Sequence, residues 1–180
     1  MNTVQPIRDI AMIAAMKNVL MKQHYRNYFL FVLGINTGLR ISDLLTLKVG
    51  DVRERSHIII TEQKTGKLKR FKINSELQQH ISEFTISKDS AEYLFKSRRG
   101  THRIHRVQAW KILNTAAKEV GLREIGTHTL RKTFGYHFYQ KYKDVAVLQQ
   151  IFNHSSPAVT MRYIGINQDI IDEAVDGFSL

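Results

Sequence analysis

Six separated residues could together attack a phosphate: Arg40, Lys64, His128, Arg131, His154 and Tyr163. A phenol can form a covalent bond to phosphorus, and two imidazoles can hold or accept protons. Three cations can offset the charge that develops on a pentavalent phosphate. No carboxylate cluster of the kind that holds Mg²⁺ accompanies them. The set points to DNA strand cleavage through a phosphotyrosine with no metal and no cofactor, provided that the six converge in space.

His128 and Arg131 are three apart on one predicted helix, so they project from the same side of its first turns. Held so, both can reach one phosphate, whereas the neighbouring Lys132 points elsewhere, to DNA backbone or to water. Arg40 follows Gly38-Leu39 at a break between two helices. A rigid turn there can aim a planar guanidinium at two phosphate oxygens; an ion pair with Asp43 is the competing reading. Lys64 sits at the tip of a predicted hairpin, where an ammonium can enter the minor groove and protonate a departing 5′-oxygen. Lys67 and Lys69 compete for that role. His154 lies at a helix end, near the negative pole of the dipole. The chain has seven tyrosines, and their types and spacing alone do not select Tyr163 over Tyr136, Tyr139 or Tyr142.

The elements that must position these groups are mostly helical. Pro6 suits the first turn of a helix carrying Ile7, Ile10, Ile13, Met16 and Leu20. A second helix, about Tyr25 to Ile35, is apolar nearly all round and therefore central. Asn36-Thr37-Gly38 breaks it, and Ser42 with Asp43 is expected to cap a short helix through Leu47. His57–Thr61 is β-branched, and Leu68–Ile73 alternates apolar and basic; Lys64-Thr65-Gly66-Lys67 makes the turn between them. Ser75 is the expected cap of a helix to about Phe84, and Tyr93-Leu94-Phe95 a short isolated strand. Lys96 to Arg106 is a basic loop. Helices are predicted over Val107–Val120, from a Thr127 cap to about Tyr142, over Asp144–Phe152 and over Pro157–Ile164. In the tail, Ile170, Ile171, Ala174 and Val175 keep helical spacing.

The chain has 180 residues, enough for one domain, and 27 Lys+Arg against 16 Asp+Glu give a net charge of +11. A folded domain this basic usually meets nucleic acid. The absence of cysteine excludes disulfides, thiolate metal sites and thiol nucleophiles. Arg8, Asp9 and Lys17 interrupt the first apolar stretch, so no signal peptide or membrane span is expected. The expected setting is the cytoplasm, next to DNA.

Thr37-Gly38-Leu39-Arg40-Ile41-Ser42-Asp43-Leu44 resembles the first signature box of the tyrosine recombinases, the phage integrase family. His128-Thr129-Leu130-Arg131 resembles their H-x-x-R box. His154 and Tyr163, nine residues apart, match their final histidine and nucleophilic tyrosine, and Lys64 resembles their hairpin lysine. The boxes fall in the family's order from Arg40 to Tyr163. Two positions depart from it: Asn153 stands where a glycine is frequent, and Lys132 where another histidine is. About 36 residues precede the first box, so the helical core-binding domain that usually precedes this one is expected to be absent.

The resemblance implies a mainly α fold with a small antiparallel β-ribbon, the DNA breaking-rejoining enzyme fold. One catalytic domain over 1–180 follows, with a body to 165 and a tail over 166–180 that packs on a neighbouring protomer or on its own domain. The implied activity is that of a site-specific recombinase or integrase. Tyr163 would attack the scissile phosphate to give a 3′-phosphotyrosyl link. Arg40, Arg131 and His154 would hold the phosphate, His128 would accept or orient the proton, and Lys64, or else Lys67, would be the general acid. The implied partners are double-stranded DNA and a homo-tetramer on it, with no membrane. Lys67, Lys69, Arg98, Arg99, Arg103 and Lys132 are the expected DNA contacts. The competing readings are a catalytically idle DNA-binding regulator of the same fold and a type IB topoisomerase-like relaxing enzyme.

Overall fold

A computed structural model describes residues 4–166, 172 and 175–179. Helix α1 (Ile10–Gln23) starts where the Asp9 carboxylate accepts the Ala11 amide at 2.7 Å. Pro6, expected in its first turn, lies ahead of it. The preceding segment is instead spent on tertiary hydrogen bonds, from Gln5 N to Glu124 O at 3.0 Å and from Ile7 N to Thr133 Oγ1 at 2.9 Å.

Helix α2 (Tyr25–Thr37) is the centre of the molecule. Phe29 through Leu33 are all buried, in keeping with its apolar run. It packs against α1, α4 (Ser75–Thr85) and α6 (Thr129–Tyr142). Each large side chain buried here contributes roughly 1.5–3 kcal/mol relative to exposure. The helix stops at Gly38, whose φ of +64° closes its C-terminus. A side chain at 38 would also overlap the Phe134 ring.

Helix α3 (Ile41–Leu44) is a single turn, shorter than expected. Ser42 does not cap it; Arg40 occupies the cap position without a side-chain bond. Asp43 turns instead to the ribbon, where its Oδ1 accepts the Gln63 amide at 3.1 Å. The ribbon pairs β1 (His57–Thr61) with β2 (Leu68–Lys72), Ile58 opposite Phe71 and Ile60 opposite Lys69. Ile58, Ile60 and Phe71 face the core, and Ile59 and Leu68 face out, as period-two alternation requires. Tyr93 forms a single bridge to Lys48, and Leu94 and Phe95 are buried behind it.

Asn74 caps α4 by accepting the Leu77 amide at 2.8 Å, one residue before the expected Ser75. Helix α5 (Arg106–Glu119) begins at His105, whose amide donates to Gln108 Oε1 at 2.9 Å. Helix α6 begins at Thr129 with His128 at its cap position, so Thr127 is not the cap. Thr129 Oγ1 accepts the Gly126 amide at 3.0 Å and fixes the turn that presents His128. Helices α7 (Val145–Phe152) and α8 (Pro157–Ile164) fold against α6 around a second, smaller core of Leu148, Phe152, Ile164 and Ile166.

Of the tail stripe, Ile170, Ile171 and Ala174 lie outside the described residues, and Val175 is exposed. Among the described residues no helix is long and apolar enough to cross a membrane.

Candidate active site

Gly38 fixes the first part of the site. Its carbonyl, freed by the left-handed turn, accepts Arg131 Nη1 at 2.6 Å. Arg131 Nη2 donates to Phe152 O at 2.9 Å, and the guanidinium lies 4.2 Å from the Phe152 ring centroid. One buried arginine on α6 thus joins the end of α2 to the end of α7. Burial lowers its pKa to about 10, so it remains a cation at neutral pH.

Arg40 approaches from the α2–α3 turn. Its partner is Glu62, at 2.5 Å, rather than Asp43. Asp43 is buried, and its Oδ2 has no hydrogen-bond partner. Burial raises its pKa, opposed by the Gln63 amide and by Arg40.

Tyr163, on α8, brings its hydroxyl to 3.3 Å from His128 Nδ1. Burial raises the phenol pKa; Arg131 and Arg40 pull it back, and a hydrogen bond from Arg131 adds to that. The His128 pKa is lowered, first by burial and then by Arg106, Lys132, Arg131 and Lys64. A neutral imidazole beside the phenol can therefore accept its proton at neutral pH.

His154 follows α7 through Asn153, which takes φ +54° to end that helix. Asparagine tolerates this left-handed conformation, which explains how it replaces a glycine here. The His154 ring stands edge-on to Tyr163, with centroids 5.0 Å apart, and its Nδ1 lies 3.0 Å from the buried Thr160 hydroxyl. Burial, then Arg131, Arg40, Lys64 and Lys69, hold its pKa at about 4. A neutral His154 can donate through Nε2 only if Thr160 donates to Nδ1.

Arg40, Lys64, His128 and Arg131 line one cavity of about 250 Å³, together with Arg106. A larger cleft of about 730 Å³ lies elsewhere, beside Arg8, Lys132 and Arg162. The smaller cavity is the candidate site because the phosphate-binding groups converge on it. The structure therefore brings together five of the six residues by direct contact or shared cavity wall, and His154 joins through the Tyr163 ring. Tyr136 and Tyr139 pack against the second core, and Tyr142 is exposed.

Two of the expected DNA contacts have partners within the protein. Lys69 donates to Gln150 O at 2.8 Å and Ile151 O at 3.0 Å, where the free carbonyls at the end of α7 attract a cation. Lys132 is buried, with its ammonium 5.2 Å from the Tyr163 ring centroid. Lys67 is exposed and reaches Asn153 Oδ1 at 3.3 Å. Arg98 and Arg99 are exposed beside Arg26 and Lys111, and Arg103 bridges to Lys96 through its backbone. Sequence reasoning missed Glu62 and Thr160 as site residues, and it placed Arg106 only at the end of the basic loop rather than in this cavity. A glutamate two positions before the hairpin lysine was the available signal for Glu62; nothing local marks Thr160. Among the described residues no group of three or more His, Asp and Glu could hold a metal ion.

Residues 9–169 match the profile of the phage integrase family. A probable integrase/recombinase of Bacillus subtilis, YoeC, is 54% identical over 169 residues, spanning 94% of this chain and 93% of the relative. Tyrosine recombinase XerD of Corynebacterium glutamicum is 32% identical over 148 residues, spanning 78% of this chain but 48% of the relative. The chain thus covers about half the length of the Xer relative. Among solved structures, a XerA recombinase superposes with a TM-score of 0.77 at 22% identity, over 97% of this chain and 64% of the other. At that identity the likeness is one of fold.

Proposed function

The chain belongs to the phage integrase family, the tyrosine recombinases, and we propose that it cleaves and rejoins duplex DNA through a 3′-phosphotyrosyl link on Tyr163. The observation that carries the reading is the Tyr163 hydroxyl, held 3.3 Å from a neutral His128 and beside Arg131.

In the proposed step the Tyr163 oxygen attacks phosphorus in line. His128 takes the phenol proton as the O–P bond forms. Arg40 and Arg131 face the non-bridging oxygens, and each such preorganised donor is worth roughly 3–4 kcal/mol in the transition state, by analogy with single oxyanion-hole donors. His154 Nε2 adds a third donor. The P–O5′ bond breaks, and Lys64 gives its proton to the leaving oxygen. A 5′-hydroxyl from another strand reverses the step and joins it to the 3′ end. The ester stores the bond energy in the protein, so rejoining needs no nucleotide.

The net charge of +11 supports DNA as the partner. Arg98, Arg99, Arg103 and Lys67 are the proposed phosphate contacts. Recombination further implies four copies of the chain on two duplexes, each copy supplying one catalytic domain.

The test is covalent trapping. The protein is incubated in EDTA with nicked duplex DNA from the ends of its own element. An SDS-resistant adduct that maps to Tyr163 is expected. Measurable DNA binding with no adduct would replace this reading by that of an idle DNA-binding domain.

A further inference from the structure

Glu62 is 1% exposed yet belongs to the exposed turn that carries Lys64. Its two oxygens serve different partners. Oε1 accepts Arg40 Nη1 at 2.5 Å, and Oε2 accepts the Thr65 hydroxyl at 2.7 Å. Its backbone is held as well, with N donating to Lys67 O at 3.0 Å and O accepting the Gly66 amide at 2.8 Å. A buried carboxylate requires partners for both oxygens. An exposed threonine at a loop tip ordinarily binds water. Here its hydroxyl reaches inward to a charge, and that bond is the stronger kind.

Lys64 is covalently between these anchors. It adjoins Thr65 directly and is two positions from Glu62. It also lines the same cavity as Arg40. The carboxylate therefore joins the guanidinium that faces the phosphate to the turn that carries the candidate acid. The two strands alone would leave that turn free to swing about its glycine, since Gly66 has φ +66° with open space around it.

We propose, resting on the phosphotyrosine reading above, that Glu62 and Thr65 are positioning residues for the general acid. Through them Arg40 and Lys64 meet one phosphate in a fixed relation. As the Tyr163 O–P bond forms and the P–O5′ bond breaks, the Lys64 ammonium gives one proton to O5′. The products are a 5′-hydroxyl and a neutral amine. Loosening the turn slows that proton transfer and leaves the grip of Arg40 and Arg131 on the phosphate in place.

The experiment compares adduct formation by the full chain on two nicked duplexes. One has the ordinary scissile phosphodiester, and the other has sulfur in place of the bridging 5′-oxygen. A thiolate leaves without a proton, because thiols have a pKa of only about 8.5. Thr65→Val, on an exposed turn, is expected to slow adduct formation about tenfold on the oxygen substrate, the rate equivalent of one hydrogen bond to a charged group. On the sulfur substrate it should match wild type. Thr65→Ser should restore the rate on oxygen, and Lys64→Ala should show a deeper defect with the same sulfur rescue. Wild-type speed of Thr65→Val on oxygen overturns the inference, as does equal slowing on both substrates. Failure of sulfur to rescue Lys64→Ala removes Lys64 as the acid and the inference with it. If wild type forms no adduct on either substrate, the phosphotyrosine reading itself fails.

Discussion

Arg131→Met separates what this residue does for the fold from what it does for the reaction. Methionine keeps an unbranched apolar stem against the Phe152 ring and removes the charge. Two carbonyls, Gly38 O and Phe152 O, lose their donor. Each loss costs roughly 1–3 kcal/mol, so about 4 kcal/mol together. Against this stands the expense of burying a cation. The drop in pKa from 12.5 to about 10 corresponds to roughly 3 kcal/mol disfavouring the charged form in the folded state. The two effects nearly cancel, leaving about 1 kcal/mol of destabilisation. For a chain of this size that lowers Tm by about 2–4 °C. Cleavage should fall by about 10²–10³, the equivalent of one missing transition-state donor. Thermal unfolding by circular dichroism and single-turnover adduct formation measure the two effects. A Tm lowered by more than 10 °C would show that the carbonyl bridge dominates and that the charge costs little. A variant that cleaves within threefold of wild type would refute the transition-state role.

The other expectations concern separate parts of the site. Tyr163→Phe should abolish adduct formation while leaving DNA affinity in gel shifts nearly unchanged; an adduct from this variant would redirect attention to Tyr136, Tyr139 or Tyr142. Gly38→Ala should lower Tm by several degrees and slow cleavage more than tenfold. It forces a side chain into the left-handed region against Phe134 and displaces the carbonyl that holds Arg131. His128 and His154 both have lowered pKa values, so between about pH 6.5 and 4 the unfolded chain binds more protons than the folded one. Stability should therefore fall on acidification through that window, and His154→Asn should flatten the dependence of Tm on pH. Adduct formation should fall on acidification below the ordinary imidazole range as His128 becomes protonated and loses its acceptor, and an acid limb that His128→Asn leaves unchanged would exclude it as the base.

The site is a cationic pocket built over buried carboxylates. Glu62 and Asp43 lie beneath Arg40 and Arg131, where like charges would otherwise repel. Glu62 has both oxygens occupied, whereas Asp43 keeps one without a partner. Arg131 donates to two carbonyls and makes no direct ion pair, while Glu62 and Asp43 only partly offset its charge from a distance.

The sequence by itself supplied the candidate site residues, because residue type limits what chemistry is possible, because His128 and Arg131 fall on one helical face, and because the boxes from Arg40 to Tyr163 resemble those of the family. It also determined the ribbon, whose alternation and turn were legible, and the boundaries of α8, where Pro157 and Gly165 punctuate the chain. Helix caps were less legible. Arg40, Asn74 and His128 took positions expected of neighbours, since a cap is decided by where the preceding backbone is already tied. Tertiary structure alone decided the pairings. Arg40 chose Glu62, 22 residues away, over the nearby Asp43, because the ribbon folds its turn onto the end of α2. Lys69 and Lys132 were drawn inward by carbonyls and by a ring that share no local pattern with them. The contact of one tyrosine with His128 belongs here too, although the resemblance had already pointed to Tyr163. Periodicity treats Tyr136, Tyr139, Tyr142 and Tyr163 alike, and only the packing of α8 across α6 sets one phenol beside His128. Such contacts depend on distances between elements far apart in the chain, which no local spacing encodes.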